Sequence, residues 1–190
     1  MKKIHVAIAS VLVAIIVIGS IYTANFLINL DGTDTNEPTE LEYDTYSNYG
    51  FSFKYKKGMV ITVPDNDLTG KAADDYSGVV VAQDDYNFLS VTWLTKYSEQ
   101  TPEIIKIVLD YAWSERDDYN QIGGFVETTK SGHTLTYQKS SWRDNYTTYG
   151  IIGIWYCSGE SRQYMLMFAD LDSQKVQDDF IQYVDWVVCH

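Results

Sequence analysis

The sequence predicts an α+β domain, an antiparallel sheet flanked by helices on both faces, preceded by one N-terminal transmembrane helix. Three observations predict it. Segments 145–156 and 162–169 are apolar at odd and even positions alike, so strands there must be covered on both sides. Two amphipathic helical patterns, one opening at Thr101 and one near Ser173, supply the covers. Ahead of all this lies Val6–Leu30, an uncharged apolar run of about 25 residues. As a helix it would extend about 37 Å, against a hydrocarbon core of roughly 30 Å.

Lys2 and Lys3 are the only charges before Asp31, which places the N-terminus inside and everything after Leu30 outside. The run exceeds the roughly 7–15 apolar residues of a cleaved secretory signal, and Tyr22 and Ile18 stand where a cleavage site needs small residues. Residues 1–30 are therefore expected to be a signal anchor in the cell membrane, with a cleaved signal and a secreted product as the alternative. Residues 31–42 are polar, contain Pro38 and lack apolar periodicity, as a short stalk should. Residues 43–190 make one extracytoplasmic domain, long enough to bury a core.

Within that domain Phe51–Tyr55 alternates apolar and polar residues and reads as a half-buried strand. Gly58 breaks it, and Met59–Val63 forms a second short strand stopped by Pro64. A polar loop over 65–77 leads to strands at Gly78–Gln83 and Asn87–Lys96, joined by a turn at Asp84-Asp85-Tyr86. Thr101-Pro102-Glu103 opens the first helix, with a capping threonine, a first-turn proline and an acid at the positive end. Ile104, Ile105, Val108, Leu109, Ala112 and Trp113 form its apolar face, and Asp117 and Asp118 lie near its end. Ile122–Thr129 turns through Ser131-Gly132 into Thr134–Trp142, and strands at Asn145–Tyr156 and Arg162–Ala169 follow. The last helix starts near Ser173 and presents Val176, Phe180, Ile181, Val184, Val187 and Val188 on one face.

All 26 acidic residues follow Leu30 against 12 of the 14 basic ones, so the outer part carries −14. That charge argues against nucleic acid and anionic headgroups as partners and suits solubility, cations or a basic partner. Sixteen tyrosines and an aromatic fraction of 15% are too many for a disordered tail.

Little chemistry shows. His133 stands alone at a turn, since His5 falls in the expected anchor of residues 1–30 and His190 at the tail. No nucleophile–base arrangement, zinc motif or phosphate loop is present, so no catalytic residue, metal ligand or cofactor is assigned. Asp65-Asn66-Asp67-Leu68-Thr69-Gly70 begins like a calcium loop, but Ala73 and Tyr76 occupy ligand positions 9 and 12. Cys157 and Cys189, the only cysteines, are expected to pair in an oxidising compartment, with two buried thiols as the alternative. The closed loop of about 32 residues would contribute on the order of 3–4 kcal/mol. Asn145-Tyr146-Thr147 is a glycosylation sequon at Asn145.

The run from Tyr49-Gly50-Phe51 through Lys57-Gly58-Met59, the Asn87–Trp93 strand, the Thr101-Pro102-Glu103 helix start and a final helix ending near Val188 resemble PsbP/Mog1-type α-β-α sandwiches over about residues 43–190. Lys57 and Met59 depart from the proline and tryptophan usual there. The Trp155-Tyr156-Cys157 and Val188-Cys189-His190 endings are most similar to membrane-attached archaeal members. The resemblance implies a non-catalytic role: plant members support the oxygen-evolving side of photosystem II, and the yeast member binds a small GTPase. The sequence thus predicts a membrane-anchored, non-enzymatic binding or assembly domain acting on protein partners at the cell surface. The alternative is a surface receptor for a small ligand or for Ca2+ through the acidic and aromatic loops at 65–86.

Overall fold

The computed structural model describes residues 42–65, 72–95, 99–111, 113–114, 116–143 and 146–188. Val6–Leu30, the 31–41 stretch, most of the 65–70 acidic loop, Asn145 and Cys189 lie outside them. No helix among the described residues is long and apolar enough to cross a membrane.

The chain opens with a hairpin of β1 (Tyr43–Asn48) and β2 (Phe51–Lys56), paired from Tyr43↔Lys56 to Asn48↔Phe51. Its two-residue loop, Tyr49-Gly50, has φ of 51° and 74°. Two consecutive left-handed residues match the right-handed twist of the flanking strands, which is why a glycine sits there. Next come β3 (Val60–Thr62), β4 (Ser77–Gln83), β5 (Asn87–Thr95) and α1 (Pro102–Tyr111). The chain ends with β6 (Asn120–Lys130), β7 (His133–Arg143), β8 (Thr147–Cys157), β9 (Arg162–Asp170) and α2 (Val176–Trp186).

Seven strands form one antiparallel sheet in the order β3-β4-β5-β9-β8-β7-β6. It consists of two meanders, β3 to β5 and β6 to β9, linked by α1 and closed against each other along β5 and β9. One face is covered by the β1–β2 hairpin and α2 through Phe51, Phe53, Trp93, Tyr164, Phe168 and Phe180. The other is covered by α1 through Val108 and Leu109, which pack on Val81, Ile152, Met165 and Met167. The expected division of the two long strands holds. Ile151 and Trp155 join the α2 side while Ile152 and Ile154 join the α1 side, and β9 splits likewise.

Several boundaries differ from the sequence expectation. β1 was not expected: only Tyr43 and Tyr46 are half-buried, three residues apart, so the strand does not alternate. The first helix ends at Tyr111, and Trp113 turns back in a left-handed conformation, φ 61°, onto the sheet. There its ring meets Trp142 at 4.6 Å between centroids, over Gly150. The last helix begins at Val176, and Val187 leaves it in extended conformation. Val188 then donates its N–H to the Ser52 carbonyl, an isolated bridge to β2.

Candidate functional site

The residues singled out in the sequence do not converge. Cys157 ends β8 and is buried in the core on the α2 side, whereas Cys189 and Asn145 lie outside the described residues. Tyr146, next to Asn145, is half exposed between β7 and β8. His133 begins β7 and lines a groove of about 180 Å³ with Lys130, Trp155, Val184 and Asp185, where Lys130 and Asp185 pair at 3.1 Å. Among the described residues, no group of three or more histidine, cysteine or acidic side chains is placed to hold a metal.

Two aspartates of the 65–86 loops, Asp74 and Asp84, act on their own backbone. Asp74 Oδ1 accepts from the Tyr76 and Ser77 N–H groups, both at 2.8 Å. Asp84 Oδ1 accepts from the N–H groups of Tyr86 at 2.8 Å and Asn87 at 2.7 Å. Carboxylates used this way make tight turns and give up acceptor capacity that a cation would need.

At one end of β9 the structure holds a group that the sequence did not reveal. Arg162 is buried, and its guanidinium donates to the Tyr49 carbonyl at 2.8 Å, the Asp75 carbonyl at 3.1 Å and Thr95 Oγ1 at 3.0 Å. Glu160 lies 3.8 Å from Nε and also accepts from the Tyr164 hydroxyl. Arginine suits this position because its five donors point in fixed directions. The side chain fastens the hairpin turn, the 72–77 segment and the end of β5 to the sheet, and Tyr49 stacks on Trp93 at 5.0 Å.

The opposite end of β9 is acidic. Asp170 is buried, which pushes its carboxyl above the ordinary range, although the Asp172 N–H donating to it at 2.7 Å opposes the shift. Asp179 is raised as well, by burial and then by the neighbouring Asp170.

The two faces of the sheet differ in polarity. Beside the α1 side core lie Ser90, Thr92, Gln138 and Gln163, each buried with a side-chain oxygen that has no partner among the described residues. Thr92 and Gln163 line a cleft of about 20 Å³ beneath α1, room for about one water.

The sheet's two edges also differ. β3 is three residues long and is closely followed by Pro64, two devices that blunt an edge. β6 has 11 residues and pairs only with β7 among the described residues. Its register slips between Ile122 and Val126 at a bulge containing Gly123, φ 72°, then runs evenly from Val126↔Tyr137 to Lys130↔His133. Ile122 and Val126 are 40% and 37% exposed, so this edge keeps apolar side chains as well as open backbone in contact with solvent.

No protein-family model matches the chain, and no curated protein matches it in sequence. Solved structures do match it in fold. The cyanobacterial PsbP (CyanoP) of Synechocystis sp. PCC 6803 superposes with a TM-score of 0.55 at 13% identity, over 85% of this chain and 99% of that one. The Ran-binding protein Mog1p of Saccharomyces cerevisiae gives 0.49 at 9% identity, over 78% and 96%. At 13% identity the first of these speaks to the fold alone. The domain has the PsbP-like fold that the Tyr49–Met59 and Thr101–Glu103 segments suggested.

Proposed function

We propose that this chain is a membrane-tethered, extracytoplasmic binding domain that assembles with other proteins and carries out no chemistry of its own. The observation that carries the reading is the β6 edge: 11 residues of strand paired, among the described residues, on one side, with Ile122 and Val126 exposed beside it. Soluble domains blunt such edges unless another chain covers them. The PsbP-like fold is compatible with this role. The tether rests on the Val6–Leu30 run behind Lys2 and Lys3. On a stalk of about a dozen residues the domain meets partners at or near the same membrane. The same exposure to the outside supports pairing of Cys157 with Cys189 and glycosylation of Asn145.

The calcium alternative has less support, since Asp74 and Asp84 already accept backbone N–H groups. The test is a photocrosslinking residue at Thr129 on β6 and, as control, at the exposed Gln174, with the full chain in intact cells. A discrete adduct from position 129, absent from position 174, is the expected result. Identical patterns from both positions, or none from either, would contradict the reading.

A further inference from the structure

The chemistry of the β6 edge narrows what covers it, an argument that rests on the protein-binding role proposed above. The two sides of β6 present different groups. Val126 pairs with Tyr137, whose ring packs on Phe180 of α2, so Val126 and Ile122 belong to the α2 side. Lys130 belongs there too, and Asp185 neutralises it at 3.1 Å. Glu127 projects to the α1 side, where it lies 3.7 Å from Lys106. Glu103 and Asp110 stand three residues before and four after Lys106, on the same stripe of α1. Beside Val126–Lys130, Glu127, Glu103 and Asp110 against Lys106 leave the α1 side negative, while Arg116 lies over the Trp142 ring nearer the start of β6. Glu103 is exposed, and hydrogen bonds at the helix start, from its own backbone and from Thr101, hold its carboxyl below the usual carboxylate range.

We propose that β6 accepts an added strand from a partner protein, an extended segment alternating apolar and basic residues. A strand laid along Val126–Lys130 forms the missing ladder with the open backbone. Because side chains alternate, its apolar residues fall on the α2 side against Val126 and Ile122. Its basic residues fall on the α1 side against Glu127, Glu103 and Asp110. A second copy of β6 is a poorer match, since it carries a single lysine, at its C-terminal end, and a bulge in the middle.

The test uses the full chain in neutral detergent micelles and a fluorescent heptapeptide alternating valine and lysine, read by anisotropy. Binding is expected, weakened at least tenfold when alternate peptide nitrogens are methylated, because methylation removes ladder donors and leaves charge intact. Glu127→Lys is expected to weaken the valine–lysine peptide severalfold and to strengthen a valine–glutamate peptide. Glu127 is half exposed, so the variant keeps the fold, checked by its melting temperature. Equal binding of the methylated peptide, or no change in preference with Glu127→Lys, overturns the proposal. So does a concentration-dependent dimer that the peptide dissociates, which would assign the edge to a second copy. Retained crosslinking from position 129 without peptide binding leaves the protein-binding role standing and removes strand addition.

Discussion

Replacing Gly150 by alanine tests how α1 is fixed to the sheet. A Cβ on residue 150 would stand 2.2 Å from Trp113 Cζ3, 2.5 Å from Trp113 Cη2 and 2.6 Å from Trp142 Cζ3. All three atoms belong to rigid indole rings, and both rings are buried. If the rings shift by small amounts, overpacking costs about 1–3 kcal/mol. If Trp113 is expelled instead, about 150–250 Å² of aromatic surface returns to water, a loss of roughly 4–6 kcal/mol at 25 cal/mol per Å². The expected destabilisation lies between these limits, near 3 kcal/mol. In a domain of this size that lowers the melting temperature by roughly 10 °C. Urea unfolding followed by tryptophan fluorescence measures it, and near-ultraviolet circular dichroism reports whether the indole pair is disturbed. Trp113→Phe removes the clashing part of the ring, so the double variant should be at least 0.5 kcal/mol more stable than the two single effects predict. A Gly150→Ala protein within 0.5 kcal/mol of the parent, or strictly additive effects, would refute the packing account.

Arg162→Met removes the guanidinium donors to the Tyr49 and Asp75 carbonyls and the ion pair with Glu160, and should cost about 3–5 kcal/mol by urea unfolding. A loss under 1 kcal/mol would show that Arg162 is not what fastens the hairpin. Asp170 and Asp179 are both raised above the ordinary value, so the folded state binds their protons more tightly than the unfolded chain does. Their unfavourable contribution therefore grows as pH rises above the unfolded value, and stability falls through that window. Asp170→Asn should raise the melting temperature at pH 7 and reduce the gain seen on acidifying to about pH 4, near the unfolded carboxyl value; an unchanged profile would refute this. Thiol labelling of the full chain, denatured without reductant, should modify neither Cys157 nor Cys189, and two labelled thiols would exclude the bond.

The sequence made the long strands visible for a physical reason. In 147–157 and 162–170 both parity classes are apolar, and the structure buries one class under α2 and the other under α1. Where burial lacks a period the reading failed, as in β1, which touches the core through two tyrosines three residues apart. Trp113 fitted the apolar stripe of the helix, yet its backbone had already left helical geometry. The functional features were harder still. Arg162 is held by carbonyl oxygens 113 and 87 positions away, and carbonyls leave no trace in side-chain identity. The β6 edge depends on strand order, and no local pattern states that β9, not β6, lies beside β5.

That order has a consequence for the birth of the protein. The first meander leaves the ribosome, or crosses a membrane, with β5 as a bare edge that carries Leu89, Val91 and Trp93 on one face. Its proper neighbour is synthesised much later: Thr95 and Arg162 meet across 67 positions and the far ends of the pair across more. Pairings of such long range close slowly. For several seconds at ordinary rates of synthesis the chain exposes a sticky half-sheet. A carrier that keeps residues 77–95 extended until 162–170 arrive should therefore raise the yield of folded protein, and substitutions that slow the second meander should lower that yield before they lower the stability of the folded domain.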